Sequence, residues 1–117
     1  MSMARPRPLH AREIGDCYQV AADLLIDSFG AYPEARLVHG WPTLRRRPFR
    51  EYGHAWVELG PVVFDFANKT QHVLLIGSYY ELGQIDPARC IRYTAEQARG
   101  MLLSFESYGP WECECAA

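Results

Sequence analysis

Three side chains that together could carry out acyl-transfer chemistry lie far apart in the sequence. Cys17, His54 and Asp65 supply a thiol, an imidazole and a carboxylate. The thiol can attack a carbonyl carbon, the imidazole can take the thiol proton and pass it to the leaving group, and the carboxylate can hold the imidazole in the required tautomer. This chemistry requires hydrogen-bonding contact among the three groups, so the elements that carry them must be predicted first.

Cys17 falls at the start of a predicted helix over residues 15–30. Asp16 can act as the N-cap, an apolar stripe runs over residues 20–25, and Gly30 ends the helix. At a helix N-terminus the free backbone N–H groups and the helix dipole favour a thiolate. Cys17 also lies on the apolar stripe, so its sulfur is expected to face the sheet. A buried structural cysteine is the alternative interpretation.

A predicted hairpin brings His54 and Asp65 together. Its strands are the runs HAWVEL and VVFDFA, separated by residues 60–61, Gly and Pro. A two-residue loop pairs Glu58 with Val63, which makes His54 and Asp65 diagonal neighbours on one face, about 7–8 Å apart at the backbone. Their side chains can close this distance with a hydrogen bond. Glu58 is the rival orienting residue, and a polar pair on a solvent-exposed face is the alternative for the whole arrangement.

The remaining segments predict the layers around this hairpin. ARLVHGW, HVLLIG and RCIRY are strand-like, and TAEQARGMLLSF begins with a threonine cap and has helical apolar spacing. The order predicts an α+β fold, with an N-terminal helix packed on an antiparallel sheet and a C-terminal helix. No glycine-rich phosphate loop is present, which argues against a nucleotide-binding doubly wound fold.

The composition indicates a folded protein of one domain. Of the 117 residues, 49% are hydrophobic and 22% are charged, which argues against disorder and coiled coil and suits one compact core. We expect residues 1–14, which contain Pro6 and Pro8, to form an extended arm. Residues 15–110 are expected to form the single domain, and residues 111–117 a flexible tail.

The charge and hydropathy patterns exclude several partners. No apolar run approaches the roughly 18–20 residues that span a bilayer, and the N-terminal residues lack the apolar stretch of a secretory signal. We therefore expect a cytoplasmic protein with its cysteines as thiols, binding neither membrane nor nucleic acid. The densest basic cluster is either a solvated loop or a surface that steers an anionic partner or substrate. Its members are Arg45, Arg46, Arg47 and Arg50.

No cofactor or metal site is predicted. Cys113 and Cys115 form a C-x-C that could in principle bind zinc with His10 or His72. The spacing differs from the C-x₂-C of structural zinc sites, and no second pair of cysteines completes it.

The motifs around the three residues resemble a known superfamily. GDCYQVA opening a helix, then GHAWVEL, then VVFDFANK, in the order Cys, His, Asp, are similar to the core of the transglutaminase-like cysteine peptidases. The H-A-W-V-E string followed by an aspartate strand resembles bacterial transglutaminase-like proteins and the leader peptidases of lasso-peptide pathways. The resemblance covers roughly residues 15–70. It implies a minimal, circularly permuted papain-like core in which Cys17, His54 and Asp65 match the nucleophile, base and orienting residue.

This resemblance implies three possible functions. The first is a hydrolase that cleaves a peptide or side-chain amide through a Cys17 acyl-enzyme. The second is an acyltransferase or transamidase that uses the same triad with an amine in place of water. The third is a non-catalytic protein-binding module that keeps the fold. In each case the expected partner is a peptide or protein.

Further residues are candidates for substrate contact. Gln19, Trp41 and the backbone N–H of Cys17 are candidates for stabilising an oxyanion. His39, on the strand before the hairpin, is expected to line the same cleft, and Trp56 to cover the site or to pack in the core. Tyr79 and Tyr80 fit a core position and a cleft wall equally well.

Overall fold

The computed structural model describes the backbone of residues 9–111 and the side chains from residue 16 onward. The first eight residues and the last six lie outside it, and so do the predictions that concern them. The described helices and strands are α1 (Leu9–Asp23), β1 (Arg36–Gly40), β2 (His54–Leu59), β3 (Val62–Asp65), β4 (His72–Leu75), α2 (Ile76–Gly83), β5 (Ile91–Tyr93) and α3 (Ala95–Phe105). One turn of π-helix, Leu24–Ser28, continues α1.

The described strands form one antiparallel sheet of five strands in the order β4-β3-β2-β1-β5. This confirms the predicted α+β fold, with α1 packed on the sheet and α3 following it. The register of the hairpin is also as predicted, because Leu59 pairs with Val62 and Glu58 pairs with Val63. Gly60, at φ +59°, provides the left-handed conformation that this two-residue loop needs.

Side chains alternate along each strand, so buried residues lie on both faces of the sheet. Leu37, Val57 and Ala55 face α1 and join its buried residues in one core. Val38, Trp56, Val63, Tyr80 and Ile85 form a second core on the opposite face, beneath α2. The C-terminal helix α3 begins with the predicted cap, since Thr94 accepts the Gln97 N–H and the Gln97 side chain accepts the Thr94 N–H.

The start of α1 differs from the prediction. The helix begins at Leu9 rather than near Gly15, so the extended arm predicted for residues 1–14 is wrong over residues 9–14. These residues are LHAREI, mostly good helix formers, and the interior Gly15 costs only about 1 kcal/mol relative to alanine. Cys17 therefore lies well inside the helix and not at its N-terminus. The helix-dipole argument for a Cys17 thiolate does not apply.

The ordered core extends into the predicted tail. Trp111 is only 1% exposed, its ring packs on His39 and Tyr93, and its Nε1–H donates to the Ser107 carbonyl at 2.9 Å. The boundary at residue 110 is therefore one residue too early, because one aromatic side chain fills a gap in the core. None of the helices in the described part of the chain has the length and apolar character to cross a membrane.

The short helix α2 was not predicted. The segment HVLLIG was assigned to a strand, but the chain leaves the sheet after Leu75 and Ile76 starts the helix. Ile76, Tyr79 and Tyr80 all pack on the second core. Their spacing of three and four residues is typical of one helix face, and it was the signal available in the sequence.

Candidate active site

The predicted contact between His54 and Asp65 is present. Nε2 of His54 lies 2.9 Å from Oδ2 of Asp65, and both side chains are buried. His54 is the first residue of β2 and Asp65 the last of β3. The antiparallel register makes them diagonal neighbours at one end of the sheet, as the two-residue loop requires.

Asp65 accepts three hydrogen bonds. Its Oδ2 also accepts the hydroxyl proton of Tyr79 at 2.6 Å, and its Oδ1 accepts the backbone N–H of Ala67 at 3.2 Å. Burial alone would raise the pKa of Asp65, but the hydrogen bond and positive charge of His54, with the other two donors, lower it below its ordinary value. Asp65 is therefore a fixed carboxylate at neutral pH.

Cys17 lies beside the His54–Asp65 pair. Its side chain packs with Ala55 and Ala67 on the α1 face of the sheet, and it contributes to the raised pKa of the neighbouring His54 imidazole. His54 lies at the end of its strand, so its ring lies near Cys17 on the α1 face of the sheet and also near Trp56 on the opposite face. The ring centroids of His54 and Trp56 are 6.0 Å apart. Since Nε2 of His54 is held by Asp65, Nδ1 is the ring nitrogen left for the thiol.

A further hydrogen bond fixes the position of Cys17 relative to Asp65. Oδ2 of Asp16 accepts the backbone N–H of Asn68 at 3.0 Å. Asp16 was predicted to cap its own helix, but it instead ties α1 to the turn that follows β3. The two ends of this bond are next to Cys17 and close to Asp65 in sequence, so it helps to hold the segments that carry Cys17 and Asp65 together.

His54 is held in its charged form at neutral pH. Burial lowers the pKa of His54, but the hydrogen bond that it donates to Asp65, together with the neighbouring Cys17 and the negative charges beside the ring, outweighs burial and raises the pKa from 6.5 to about 9. A protonated imidazole favours a thiolate next to it and can donate a proton to a leaving amine.

The raised pKa of His54 makes the free energy of unfolding depend on pH in the basic range. Because the folded-state pKa of about 9 exceeds the ordinary value, charged His54 stabilises the fold fully below about pH 6.5 and loses this contribution as pH rises through about 9. We expect the urea midpoint of the wild type to fall more steeply between pH 7 and 10 than that of His54→Gln. Parallel curves for the two proteins would contradict the charged pair.

A cavity of about 520 Å³ opens beside the His54–Asp65 pair. Its polar wall includes Tyr52, Asn68, Thr70, His72 and Tyr79, and its apolar wall includes Pro42, Leu74, Leu82 and Ile85. The edge-to-face contact of Tyr52 with His54, with ring centroids 5.6 Å apart, closes one side. The cavity has the size and mixed lining of a site for a peptide side chain.

Cys17 is not among the residues that line this cavity, and it is only 4% exposed. Tyr52, which is 41% exposed, is the most exposed aromatic residue near the thiol. Burial, with the negative charges of Asp65 and Cys17, raises the pKa of Tyr52, which places its hydroxyl close to both groups.

Gln19 and Trp41, the predicted oxyanion donors, are not brought to the cavity. Gln19 is exposed and hydrogen-bonds to Asp23 on the outer side of α1, because two residues along a helix turn the side chain by about 200°. Trp41 lies beneath the guanidinium of Arg89, 5.3 Å from the ring centroid, and its Nε1 lies near Gly53.

His39 and Trp56 are core residues. His39 is 0% exposed and lies among the rings of Tyr18, Tyr93 and Trp111, so the expectation that it lines the cleft is wrong. Strand alternation gives the reason, since His39 shares the α1 face with Leu37. Trp56 is completely buried behind His54 and does not line the cavity.

The rival orienting residue Glu58 belongs to a separate polar cluster. Its carboxylate accepts the Nε1–H of Trp56 at 3.0 Å and the hydroxyl of Tyr80, and it pairs with Arg92 at 3.4 Å. None of these partners is His54. Asp65 is therefore the carboxylate that orients the imidazole.

Tyr79 belongs to the candidate site, and its sequence pattern fitted a core position equally well. It binds Asp65 and lines the cavity. We expect Tyr79→Phe to lower the free energy of unfolding by about 1.5–3 kcal/mol, because a hydrogen bond to a buried carboxylate is lost. Urea denaturation measures this, and Tyr32→Phe, at an exposed position, is the matched control. Equal stability of both variants would contradict the role of the hydroxyl.

The described side chains include no group of three or more His, Cys, Asp or Glu residues placed to bind a metal ion. Cys113 and Cys115, the C-x-C considered for zinc, lie outside the described residues.

Comparison of the chain with protein-family models, with curated proteins and with solved structures finds no match in any of the three. The chemistry of the site must therefore be judged from its geometry and from the motifs that surround it.

Proposed function

We propose that the protein is a cysteine-nucleophile hydrolase that cleaves a peptide bond or a side-chain amide through an acyl-enzyme on Cys17. The observation that carries this proposal is the hydrogen-bonded His54–Asp65 pair with Cys17 next to the imidazole and a cavity beside the pair. A carboxylate, an imidazole and a thiol in this order supply the three roles that acyl transfer needs.

In the proposed mechanism, the Cys17 thiolate attacks the carbonyl carbon of the substrate to form a tetrahedral intermediate. Charged His54 donates the Nδ1 proton to the leaving amine as the C–N bond breaks, which leaves a thioester on Cys17. Neutral His54 then takes a proton from water as the water oxygen attacks the thioester, and the C–S bond breaks to release the carboxylic acid and regenerate the Cys17 thiolate beside charged His54. Asp65 holds the ring through Nε2 in both steps.

The sequence motifs support the same proposal. The resemblance to transglutaminase-like cysteine peptidases rests on the segments that carry Cys17, His54 and Asp65, and the fold brings these three side chains to one place, with His54 hydrogen-bonded to Asp65. Membership in that superfamily is part of the proposal. The helix α1 packed on an antiparallel sheet supports it.

The proposal is tested by product analysis. The wild type and Cys17→Ala are incubated with a mixture of peptides from a digested proteome, with and without added glycinamide, and new termini are identified by mass spectrometry. We expect new carboxylic acids that form only with wild type. Glycinamide adducts in their place would assign the enzyme to acyl transfer, the alternative chemistry of the same triad. No new product with either protein would overturn the proposal and leave a binding module.

A further inference from the structure

A second cavity adjoins the one at the candidate active site. Its volume is about 620 Å³, and it shares Thr43, Arg45 and Leu82 with the first cavity. The two adjoining cavities, together called the groove, lie between the loop after β1 and helix α2. Arg45 lies at their junction, where its guanidinium donates to the Leu82 carbonyl at 3.4 Å.

The groove changes in character along its length. Near His54 its wall carries Pro42, Leu74 and Ile85, which suit an apolar side chain. Beyond Arg45 the second cavity adjoins the basic loop (residues 45–50), which holds four arginines within six residues. Of these arginines, Arg45 lines the cavity. Phe49 of this loop lines the second cavity, with the guanidinium of Arg47 5.6 Å from its ring centroid.

The positive charge of the basic loop is not neutralised by its surroundings. None of its arginines forms an ion pair with a described residue. The adjacent carboxylate, Glu51, is bound to Arg89 at 2.8 Å. Glu81 is the acidic residue that lines the second cavity, so the loop keeps an excess of positive charge along this part of the groove.

We propose that the groove binds an acidic peptide, with an apolar side chain next to His54 and aspartate or glutamate side chains against the basic loop. Arginine forms paired hydrogen bonds with carboxylates in a planar geometry, and a cleft of one charge attracts a partner of the opposite charge. The inference rests on the proposed function, because the same groove borders the His54–Asp65 pair of the proposed site. It specifies the substrate class of that site.

Binding is tested in Cys17→Ser, which removes turnover. The probes are two fluorescein-labelled peptides with the same Leu-Leu centre, flanked by glutamates in one and by glutamines in the other, and fluorescence anisotropy gives Kd. We expect the glutamate peptide to bind about tenfold more tightly at low ionic strength, with the difference decreasing as salt is added. Equal affinities would overturn the proposal.

Two charge variants locate the effect. Adding Arg46→Gln, an exposed position with no described partner, or Arg45→Gln to Cys17→Ser is expected to remove most of the preference for glutamate. Adding Arg99→Gln, exposed on α3, should leave it unchanged. An equal loss in all three variants would contradict a site at the groove. So would a single-stranded oligothymidylate that binds as tightly as the glutamate peptide, because this would show attraction to any anion.

The binding experiment and the product analysis can fail separately. If Cys17→Ser prefers the glutamate peptide and the wild type cleaves nothing, the hydrolase proposal fails and the groove remains a peptide site. If the wild type cleaves peptides without any enrichment of acidic residues near the cut, the hydrolase proposal stands and the acidic-substrate proposal is wrong.

Discussion

Replacing Cys17 by alanine is expected to lower kcat/KM for any cleaved substrate by at least about 10⁴-fold, because the covalent step has no other nucleophile. The remaining groups of the site, His54 and Asp65, can still orient a water molecule but cannot form the thioester. The measurement is the rate of product formation on a substrate identified by the product analysis. The fold should change little, since one small buried side chain replaces another.

Cys90→Ala is the matched control for this prediction. Cys90 is a thiol of intermediate exposure in the second core, and burial, with the negative charges near it, raises its pKa. Its removal should leave kcat/KM within about twofold of wild type, as expected for a residue outside the reacting groups. If Cys17→Ala kept more than a tenth of the wild-type rate, Cys17 would not be the nucleophile.

Replacing Asp65 by asparagine is expected to lower kcat by about 10²–10⁴-fold. Asp65 receives three donors on two oxygen atoms, whereas asparagine offers one oxygen atom and one NH₂ group. At least one donor is then left facing another donor, which costs about 1–3 kcal/mol. The imidazole also loses the carboxylate that raises its pKa, so less of His54 is charged at neutral pH.

The pH profile separates this mechanism from simple unfolding. We expect the basic limb of kcat/KM to lie near the His54 pKa of about 9 in the wild type and to move toward 6.5 in Asp65→Asn. Asp27→Asn, an exposed position on the outer end of the first helical segment, is the control and should keep the wild-type profile. An unchanged limb in Asp65→Asn would show that Asp65 does not act through His54.

The hairpin could be predicted from the sequence because its geometry is local. Strand alternation and a loop of two residues fix which side chains share a face, and both features are visible in HAWVELGPVVFD. The contact between His54 and Asp65 follows from that register alone. The cap of the C-terminal helix could be predicted for the same reason, since Thr94 and Gln97 are close in sequence.

The features that were missed depend on distant contacts. The low helix propensity of glycine predicted a helix start at Gly15. Tertiary packing overcomes this penalty, so Gly15 lies inside the helix. Asp16 has the residue type of an N-cap, yet its partner Asn68 is 52 residues away in sequence. The role of Tyr79 depends on where α2 packs on the sheet, and no local pattern distinguishes its hydroxyl from that of Tyr80.

The proposed substrate residues show the same limit. His39 and Trp41 are close to the hairpin in sequence order, but their side chains are directed by the faces of β1 and by the loop that follows it. Strand alternation places His39 on the same face as Leu37. Which face of the sheet α1 covers depends on tertiary packing and could not be predicted from the strand alone. The cavity is instead lined by Tyr52 and by residues of α2.

The proposed mechanism requires that His54 activates the thiol of Cys17. The most direct test measures alkylation of each cysteine by iodoacetamide at pH 7, resolved by peptide mass spectrometry, in wild type and His54→Gln. We expect Cys17 to react faster than Cys90 and faster than a free thiol of pKa about 8.5, and to lose this advantage in His54→Gln. A Cys17 that reacts no faster than a free thiol, or equally fast in both proteins, would contradict the mechanism.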